Sequence, residues 1–360
     1  MGGTYRVQKE IVILVSSIGC GGAHRMLSLL ANEWLRQGHK VTFIQTDNKN
    51  GGCYMLEDGI EVIDLHSKYK NKLFRLFSNA FKTVSIMKKR PGATLLTFLV
   101  PMYCISLVAS FFMNNRIVVS ERNNPYAAPK RKILVLARRW AFARADACVF
   151  QTEQARQYFP SKIQKKGLII PNPINGDLPA PFEGKRNKTI VMACRLSSQK
   201  NIGMAIRAFE RIHREYQDYS LVIYGEGELQ GELEKLVLDL NLDEAVKMPG
   251  YKKDIHDRMR EAAMFVSSSD YEGISNSMLE ALGSGVPTIV TDCPIGGAKM
   301  MINDGENGLL VPVGDVDALY EAIKRVIEEP GLAEKISKNA LKVRDDYPIE
   351  KIAREWLEVM

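Results

Sequence analysis

Between Leu65 and Ser120 the chain has no acidic residue. Nothing there offsets the lysines and arginines, so the stretch points to a polyanion or an anionic surface. The bias covers the whole first half. Residues 1–176 hold 26 Lys and Arg against 10 Asp and Glu (+16), and residues 177–360 hold 23 against 32 (−9), which together give the net +7. No recognised nucleic-acid-binding motif accompanies the charge, so no nucleic acid is expected as a partner. The six cysteines (Cys20, Cys53, Cys104, Cys148, Cys194, Cys293) are scattered without a C-x-x-C pair. That argues against a metal site or a disulfide framework and fits a reducing cytosol. The opening MGGTYRVQKE lacks the apolar core of a signal peptide, and none is expected. One apolar run, residues 93–113, is long enough to span a bilayer. Pro101 divides it into a short strand and a helix, with proline favoured in the first helical turn. The run reads as a strand–helix step in a doubly wound sheet, with a transmembrane helix as the alternative.

A chain of 360 residues, 46% hydrophobic and 25% charged, suggests two globular domains. The most informative stretch is Phe265–Asp292, FVSSSDYEGISNSMLEALGSGVPTIVTD. It reads as strand, polar loop, helix, Gly-x-Pro break and strand, a unit of a parallel sheet with its loop at the carboxyl edge. The helix start near Ile274, Ser275, Asn276 and Ser277 offers unpaired backbone N–H groups to an anion. Glu272 and Glu280 would repel a phosphate but accept hydrogen bonds from sugar hydroxyls. A nucleotide diphosphate sugar has both parts. An isolated E-x7-E spacing fits equally well an exposed Glu272 and an ordinary helical Glu280.

Residues 9–17 read as a buried strand, followed by Gly19–Gly22, a helix (Met26, Leu29, Leu30, Trp34) closed by Gly38, and a second strand ending at Asp47. The dinucleotide fingerprint G-x-G-x-x-G fails at His24. Asp47 still looks like a ribose acid, so a nicotinamide dehydrogenase remains a rival. From Lys68 to Arg90, Leu73, Leu76, Phe77, Ala80, Phe81, Val84 and Met87 recur at helical spacing, with Lys68, Lys72, Arg75, Lys82 and Lys89 on a separate face. Such a helix lies on an anionic bilayer or packs on the sheet with a solvated basic face, and the two are compatible. Prolines 171, 173, 179 and 181 mark a linker. Asp315–Asp317 spells D-x-D at a helix start, where it reads as a cap rather than a metal site.

Asp270–Asp292 resembles the E-x7-E signature of the retaining glycosyltransferases of family 4, and the likeness extends along most of the chain. Gly21, Gly22, Ala23 and Arg25 match a GGAER-like turn in which His24 replaces Glu. Glu121 and Asn123 match an acceptor-facing S-E-H-N motif in which Arg122 replaces His. Arg195, Leu196 and Lys200 match G-R-L-x-x-x-K, with Cys194 in place of glycine. An Arg at position 122 stays protonated and cannot act as a base. It could bind a phosphate, orient the acceptor, or pair with Glu121 for structure.

The resemblance implies an α/β GT-B fold, two facing Rossmann-like doubly wound parallel-sheet domains with a cleft between them. The expected domains are 1–173 (acceptor), 174–187 (linker), 188–345 (nucleotide sugar) and 346–360 (a helix crossing back). It implies Arg195, Lys200 and Glu272 as catalytic residues. The donor would be held by Gly22, Gly225, Tyr251, Gly273, Ile274, Ser275, Asn276, Ser277 and Glu280. The acceptor would be held by His24, Arg122, Lys72, Arg75 and Lys82. No metal and no cofactor is expected, because the nucleotide sugar is a substrate. The implied reaction moves a hexose or N-acetylhexosamine, UDP-linked, to a lipid-linked oligosaccharide on undecaprenyl diphosphate, in the manner of bacterial N-acetylgalactosaminyltransferases. The enzyme would then be cytoplasmic and peripheral to the inner face of the cell membrane. A GDP-mannose donor, the dehydrogenase and a non-catalytic carbohydrate sensor are the alternatives.

Overall fold

The structure is a computed structural model that describes residues 8–19, 21–47 and 54–360. Cys20, in the glycine-rich turn, and Cys53 lie outside the described residues. The chain forms two compact units, one running to Pro173 and joined by Ile349–Met360, the other Ile174–Pro348.

The first unit is built on seven strands: β1 (Glu10–Val15), β2 (Lys40–Gln45), β3 (Glu61–Asp64), β4 (Thr94–Phe98), β5 (Ile117–Glu121), β6 (Ala147–Phe150) and β7 (Gly167–Ile169). Every side chain from Ile11 to Val15 is buried. A strand without alternation needs cover on both faces, which a parallel sheet flanked by helices supplies. All pairings are parallel, in the order β3-β2-β1-β4-β5-β6-β7. The helices are α1 (Gly22–Arg36), α2 (Lys72–Lys88), α3 (Val100–Ala109), α4 (Lys132–Arg144), α5 (Glu153–Gln157) and α6 (Ser161–Gln164). Right-handed crossovers place α1 on one face of the sheet and α3 and α4 on the other, where α2 also packs against α3. The apolar run 93–113 divides into β4 and α3, with Pro101 in the first turn of the helix. Among the described residues no helix is long and apolar enough to cross a membrane.

One expectation for the basic helix, its bounds, is corrected. Asn71 caps it by accepting from the Leu73 and Phe74 amides, so Lys68 precedes α2 and Lys89 and Arg90 follow it. Leu73, Phe77 and Phe81 are exposed, and the face turned inward is Asn79, Ala80, Thr83, Val84 and Met87. A helix with apolar residues on most of its circumference cannot bury them all against one neighbour.

The helix Ile349–Val359 packs on α1 in this first unit. Trp34 and Trp356 meet edge to face with centroids 6.5 Å apart, and Trp34 Nε1 donates to the Ala353 carbonyl at 3.0 Å.

The second unit has six parallel strands: β8 (Thr189–Ala193), β9 (Ser220–Tyr224), β10 (Val246–Gly250), β11 (Met264–Ser267), β12 (Thr288–Thr291) and β13 (Leu309–Val311), in the order β10-β9-β8-β11-β12-β13. Its helices are α7 (Ile202–Glu215), α8 (Gln230–Asp239), α9 (Ile255–Arg260), α10 (Asn276–Gly283), α11 (Gly297–Met301), α12 (Val316–Glu328), α13 (Leu332–Ala340) and α14 (Val343–Asp346). Asp315 caps α12 by accepting from the Ala318 amide at 2.9 Å, while Asp317 pairs with Arg211. Both sheets are therefore doubly wound, the Rossmann-like kind expected of a GT-B fold. In the second the strand order reverses between β8 and β11, and ligands of such sheets bind where the reversal opens the carboxyl edge.

Candidate active site

Two loops leave that reversal point. One follows β8 and carries Arg195, the 3-10 turn Ser198–Lys200 and Asn201; the other follows β11 and runs from Ser268 to Ser275. They are stitched together. Gln199 Nε2 donates to the Tyr271 carbonyl at 2.8 Å, and the Asp270 amide donates to the Gln199 carbonyl at 2.9 Å. Asn201 Nδ2 donates to Asp270 Oδ1 at 2.7 Å, and Ser268 Oγ donates to the carbonyls of Lys200 and Asn201. Asn201 sits in the left-handed region at φ 41°, which a short polar side chain tolerates.

This stitching brings Lys200 and Glu272 into a half-buried ion pair, with Ser269 Oγ 3.2 Å from the same carboxylate oxygen. Burial pulls the Lys200 ammonium down, but the charge and hydrogen bond of Glu272 outweigh it and leave the pKa raised. Ser275 caps α10 by accepting from the Met278 amide, and its hydroxyl lies 3.1 Å from that of Ser277. One turn into α10, Glu280 is buried, and its Oε2 lies 3.1 Å from His256 Nε2 on α9. Arg195 is exposed and makes no ion pair among the described residues; Tyr251, just past β10, is exposed as well. The structure therefore gathers Lys200, Glu272, Ser275, Ser277 and Glu280 around one loop and helix start, and it leaves the Arg195 guanidinium in solvent.

Three glycines owe their place to backbone contact. A Cβ on Gly225, whose φ is 134°, would stand 1.8 Å from the Cys194 carbonyl oxygen, and one on Gly227 would stand 2.2 Å from that of Leu196. Gly225 thus backs the Arg195 loop. A Cβ on Gly297, at the start of α11, would lie 1.9 Å from the Gly273 carbonyl oxygen. Just before it, Ile295 holds φ 75°, a region costly for a β-branched residue. The thiols flanking the site are both pushed up to about 11, by burial foremost, which keeps Cys194 and Cys293 neutral and poor as nucleophiles.

In the first unit, Arg122 directly follows β5. Its guanidinium stacks over the Trp356 ring at 5.0 Å and donates from Nη1 to the Ile170 carbonyl at 2.7 Å; its Nε and Nη2 are buried without hydrogen-bond partners among the described residues. Burial lowers its pKa to about 9, opposed by Tyr103 and Glu121, and it stays a cation at neutral pH. The reading that pairs Arg122 with Glu121 is corrected: the partner of Glu121 is the fully buried Arg138, at 2.9 Å. His24 sits in the first turn of α1, its ring beside Gly19, and Gly22 is the first residue of that helix. Arg75 lies 3.6 Å from Asp47, and Lys82 Nζ donates to the carbonyls of Leu65 and His66. Lys72 is exposed at the start of α2. Among the described residues no group of three His, Cys, Asp or Glu could hold a metal ion.

His256 and Arg138 were missed at the sequence level. Each lies on a helix, 24 and 17 residues from the carboxylate it meets, and neither sits in a motif.

Two family models divide the chain. The model for glycosyltransferase family 4 matches residues 20–178, and that for group 1 glycosyl transferases matches residues 178–343, a span that includes Arg195, Lys200, Glu272 and Glu280. The chain is a glycosyltransferase, with a family 4 domain followed by a group 1 domain. It is an enzyme that transfers a sugar, and the dehydrogenase and sensor readings fall. The glycosyltransferase is similar to two from Campylobacter jejuni. One is an N-acetylgalactosamine-N,N'-diacetylbacillosaminyl-diphospho-undecaprenol 4-alpha-N-acetylgalactosaminyltransferase, 28% identical with 98% of this chain and 99% of that protein covered. The other, an alpha-1,4-N-acetyl-D-galactosaminyltransferase acting on a GalNAc-GalNAc-diNAcBac-PP-undecaprenol, is 25% identical with 98% of each covered. Among solved structures, the glycosyltransferase shares its fold with HepE of Anabaena in complex with UDP and glucose, at TM-score 0.84 and 18% identity over 98% of this chain and 99% of that one.

Proposed function

We propose that the enzyme moves a hexose or N-acetylhexosamine from a UDP-sugar to a lipid-linked oligosaccharide, with retention at the anomeric carbon, at the inner face of the cell membrane during surface-polysaccharide or glycan assembly. The observation that carries this reading is the Lys200–Glu272 pair beside the capped start of α10, at the point where the strand order reverses. A carboxylate alone would repel a diphosphate, and Lys200 offsets that repulsion while leaving Glu272 free to accept from sugar hydroxyls. Arg195, exposed and in no ion pair among the described residues, is available to the same phosphates. The Gly273–Ser277 segment offers amides at the start of α10, Glu280 accepts from the ribose, and Gly225 and Tyr251 border the nucleotide. Gly22, His24, Arg122, Lys72, Arg75 and Lys82 serve the acceptor side in the first unit. Support for the lipid-linked acceptor comes from the substrates named for the two Campylobacter relatives.

In the proposed step the bond from the anomeric carbon to the leaving phosphate oxygen breaks and a bond to the acceptor hydroxyl forms on the same face. The hydroxyl proton passes to the departing phosphate, and UDP leaves. Arg195, Lys200 and the α10 amides carry the growing charge in place of a metal. The test is a screen of UDP- and GDP-sugars against undecaprenyl-diphosphate-linked oligosaccharides, with and without chelator. Released nucleotide is measured, and the anomer is read by NMR. Release of GDP alone refutes the donor, an inverted anomer refutes the mechanism, and dependence on a divalent ion refutes the metal-free step.

Two outcomes concern the donor. Glu280→Ala is expected to weaken UDP binding about ten-fold or more, a loss of about 1.4 kcal/mol, and His256→Ala to do so by a smaller factor because it only positions Glu280. Unchanged affinity of Glu280→Ala in titration calorimetry refutes the ribose assignment. Gly297→Ala is expected to displace the Gly273–Ile274 peptide, because the added methyl has no room beside that carbonyl. A UDP affinity that falls about ten-fold, with a lowered thermal midpoint, is the expected result. Wild-type affinity would show that this loop does not touch the nucleotide.

A further inference from the structure

The exposed apolar side chains of the first unit are not scattered singly, as they are on most protein surfaces. On α2, Phe74 is 62% exposed, and Leu73, Phe77 and Phe81 are exposed with it. Phe81 meets Phe112, which lies just after α3, with ring centroids 5.2 Å apart. Beside Phe112, the Phe111 ring lies 4.0 Å beneath the Arg144 guanidinium at the end of α4. Along α4, Ile133 (69% exposed), Leu136 and Trp140 (58% exposed) recur at i, i+3 and i+7, an outward-facing stripe. Since α2 packs on α3 and α3 on α4, these exposed apolar side chains form a band carried by three neighbouring helices.

Charge decides what the band meets. From Leu65 to Ala145 the only acidic residue is Glu121, which is buried and held by Arg138. Lys130, Arg131, Lys132, Arg139 and Arg144 interleave with the α4 stripe, and all five are exposed. A second copy pairing through this same band would set like charge against like charge. An anionic bilayer complements both features at once, accepting apolar side chains among its acyl chains and basic ones among its phosphates. The basic groups of α2 are partly engaged already, Arg75 with Asp47 and Lys82 with two carbonyls, so they are not the whole of the attraction.

We infer that the α2–α3–α4 face is a bilayer-insertion surface in which the aromatic and aliphatic side chains of α2 and α4, Trp140 among them, enter the lipid while the flanking lysines and arginines hold anionic headgroups. This deepens the proposed membrane association and rests on that reading for its purpose. The helices run antiparallel to the strands, so the first turns of α2 and α4 lie at the carboxyl edge of the sheet, the end at which β5 delivers Arg122. A lipid-anchored acceptor would then meet the protein at that edge.

The chain carries its own probe. Of its three tryptophans, Trp34 and Trp356 are fully buried and Trp140 is exposed. Adding vesicles of phosphatidylcholine with phosphatidylglycerol to the full chain is expected to shift the Trp140 emission to the blue, and brominated acyl chains are expected to quench it. Vesicles of phosphatidylcholine alone are expected to bind about ten-fold less. Phe77→Ser combined with Leu136→Ser is expected to lower the vesicle-bound fraction about ten-fold with an unchanged thermal midpoint. If that variant does not fold, quenching in the wild-type chain still decides the matter. Vesicle binding without quenching of Trp140 overturns the inference, as does no binding. A lipid-free dimer that shields Trp140 overturns it in favour of a second copy, and retention by an acidic protein but not by vesicles overturns it in favour of a protein partner. Nucleotide release with a water-soluble acceptor is measured on the same samples. Vesicle binding without transfer refutes the proposed reaction alone, and transfer without vesicle binding refutes this surface alone.

Discussion

Replacing Lys200 with methionine is expected to lower the rate of nucleotide release at saturating donor by about 10²–10³, the usual cost of removing one group that stabilises developing charge. Methionine keeps most of the stem and removes the ammonium, so packing changes little. The ion pair it breaks is half-buried, with both side chains 17–18% exposed, and solvent moderates what its loss does to folding. The chemical and structural roles separate in a double-mutant cycle. Glu272→Gln in the Lys200→Met background removes the carboxylate left without its cation and is expected to restore part of the thermal midpoint. The lost rate is expected to stay lost, because neither the cation for the phosphates nor the carboxylate for the sugar returns. If Lys200→Met keeps more than about a tenth of the rate, the charge-stabilising role is refuted.

Arg138→Leu is expected to destabilise the first unit by about 3–5 kcal/mol, measured by urea unfolding, because it strands the buried Glu121 carboxylate. Arg138 also donates to the carbonyls of Ala128 and Pro125, which lose their partner, and it stacks beside Tyr158 and Phe159. Burial drives the Glu121 carboxyl upward and the charge of Arg138 opposes that. Without Arg138 the folded chain holds the Glu121 proton more tightly still than the unfolded chain does, so protons favour folding. The deficit against wild type is therefore expected to widen as pH rises towards about 8 and to shrink as it falls towards the ordinary carboxylate range. Glu121→Gln in the same background is expected to recover part of the loss and to flatten that pH dependence. A deficit independent of pH would mean that packing, rather than the stranded charge, sets the cost.

The doubly wound sheets were legible because strands such as Ile11–Val15 are apolar without alternation and end in glycine-rich or serine-rich turns. Glu272, Glu280 and the α10 start were legible because one strand–helix step carries all of them. Lys200 could be placed at the end of its strand, but not in its bond to Glu272, 72 residues away. The periodicity of α2 revealed an apolar helix without saying which side meets the sheet, and only the structure shows that Leu73, Phe77 and Phe81 are on the outward side. Gly225 read as a ligand-side glycine. Its φ and its approach to the Cys194 carbonyl, both properties of the fold, give it a second reason to be there.

The helix Ile349–Val359 belongs to the first unit although all of the second unit precedes it in the chain. A ribosome delivers Trp34 and Phe98 early and their partner Trp356 last. The uninterrupted unit, Ile174–Pro348, is the one able to finish during synthesis, while the earlier-made unit waits with an uncovered apolar face on α1.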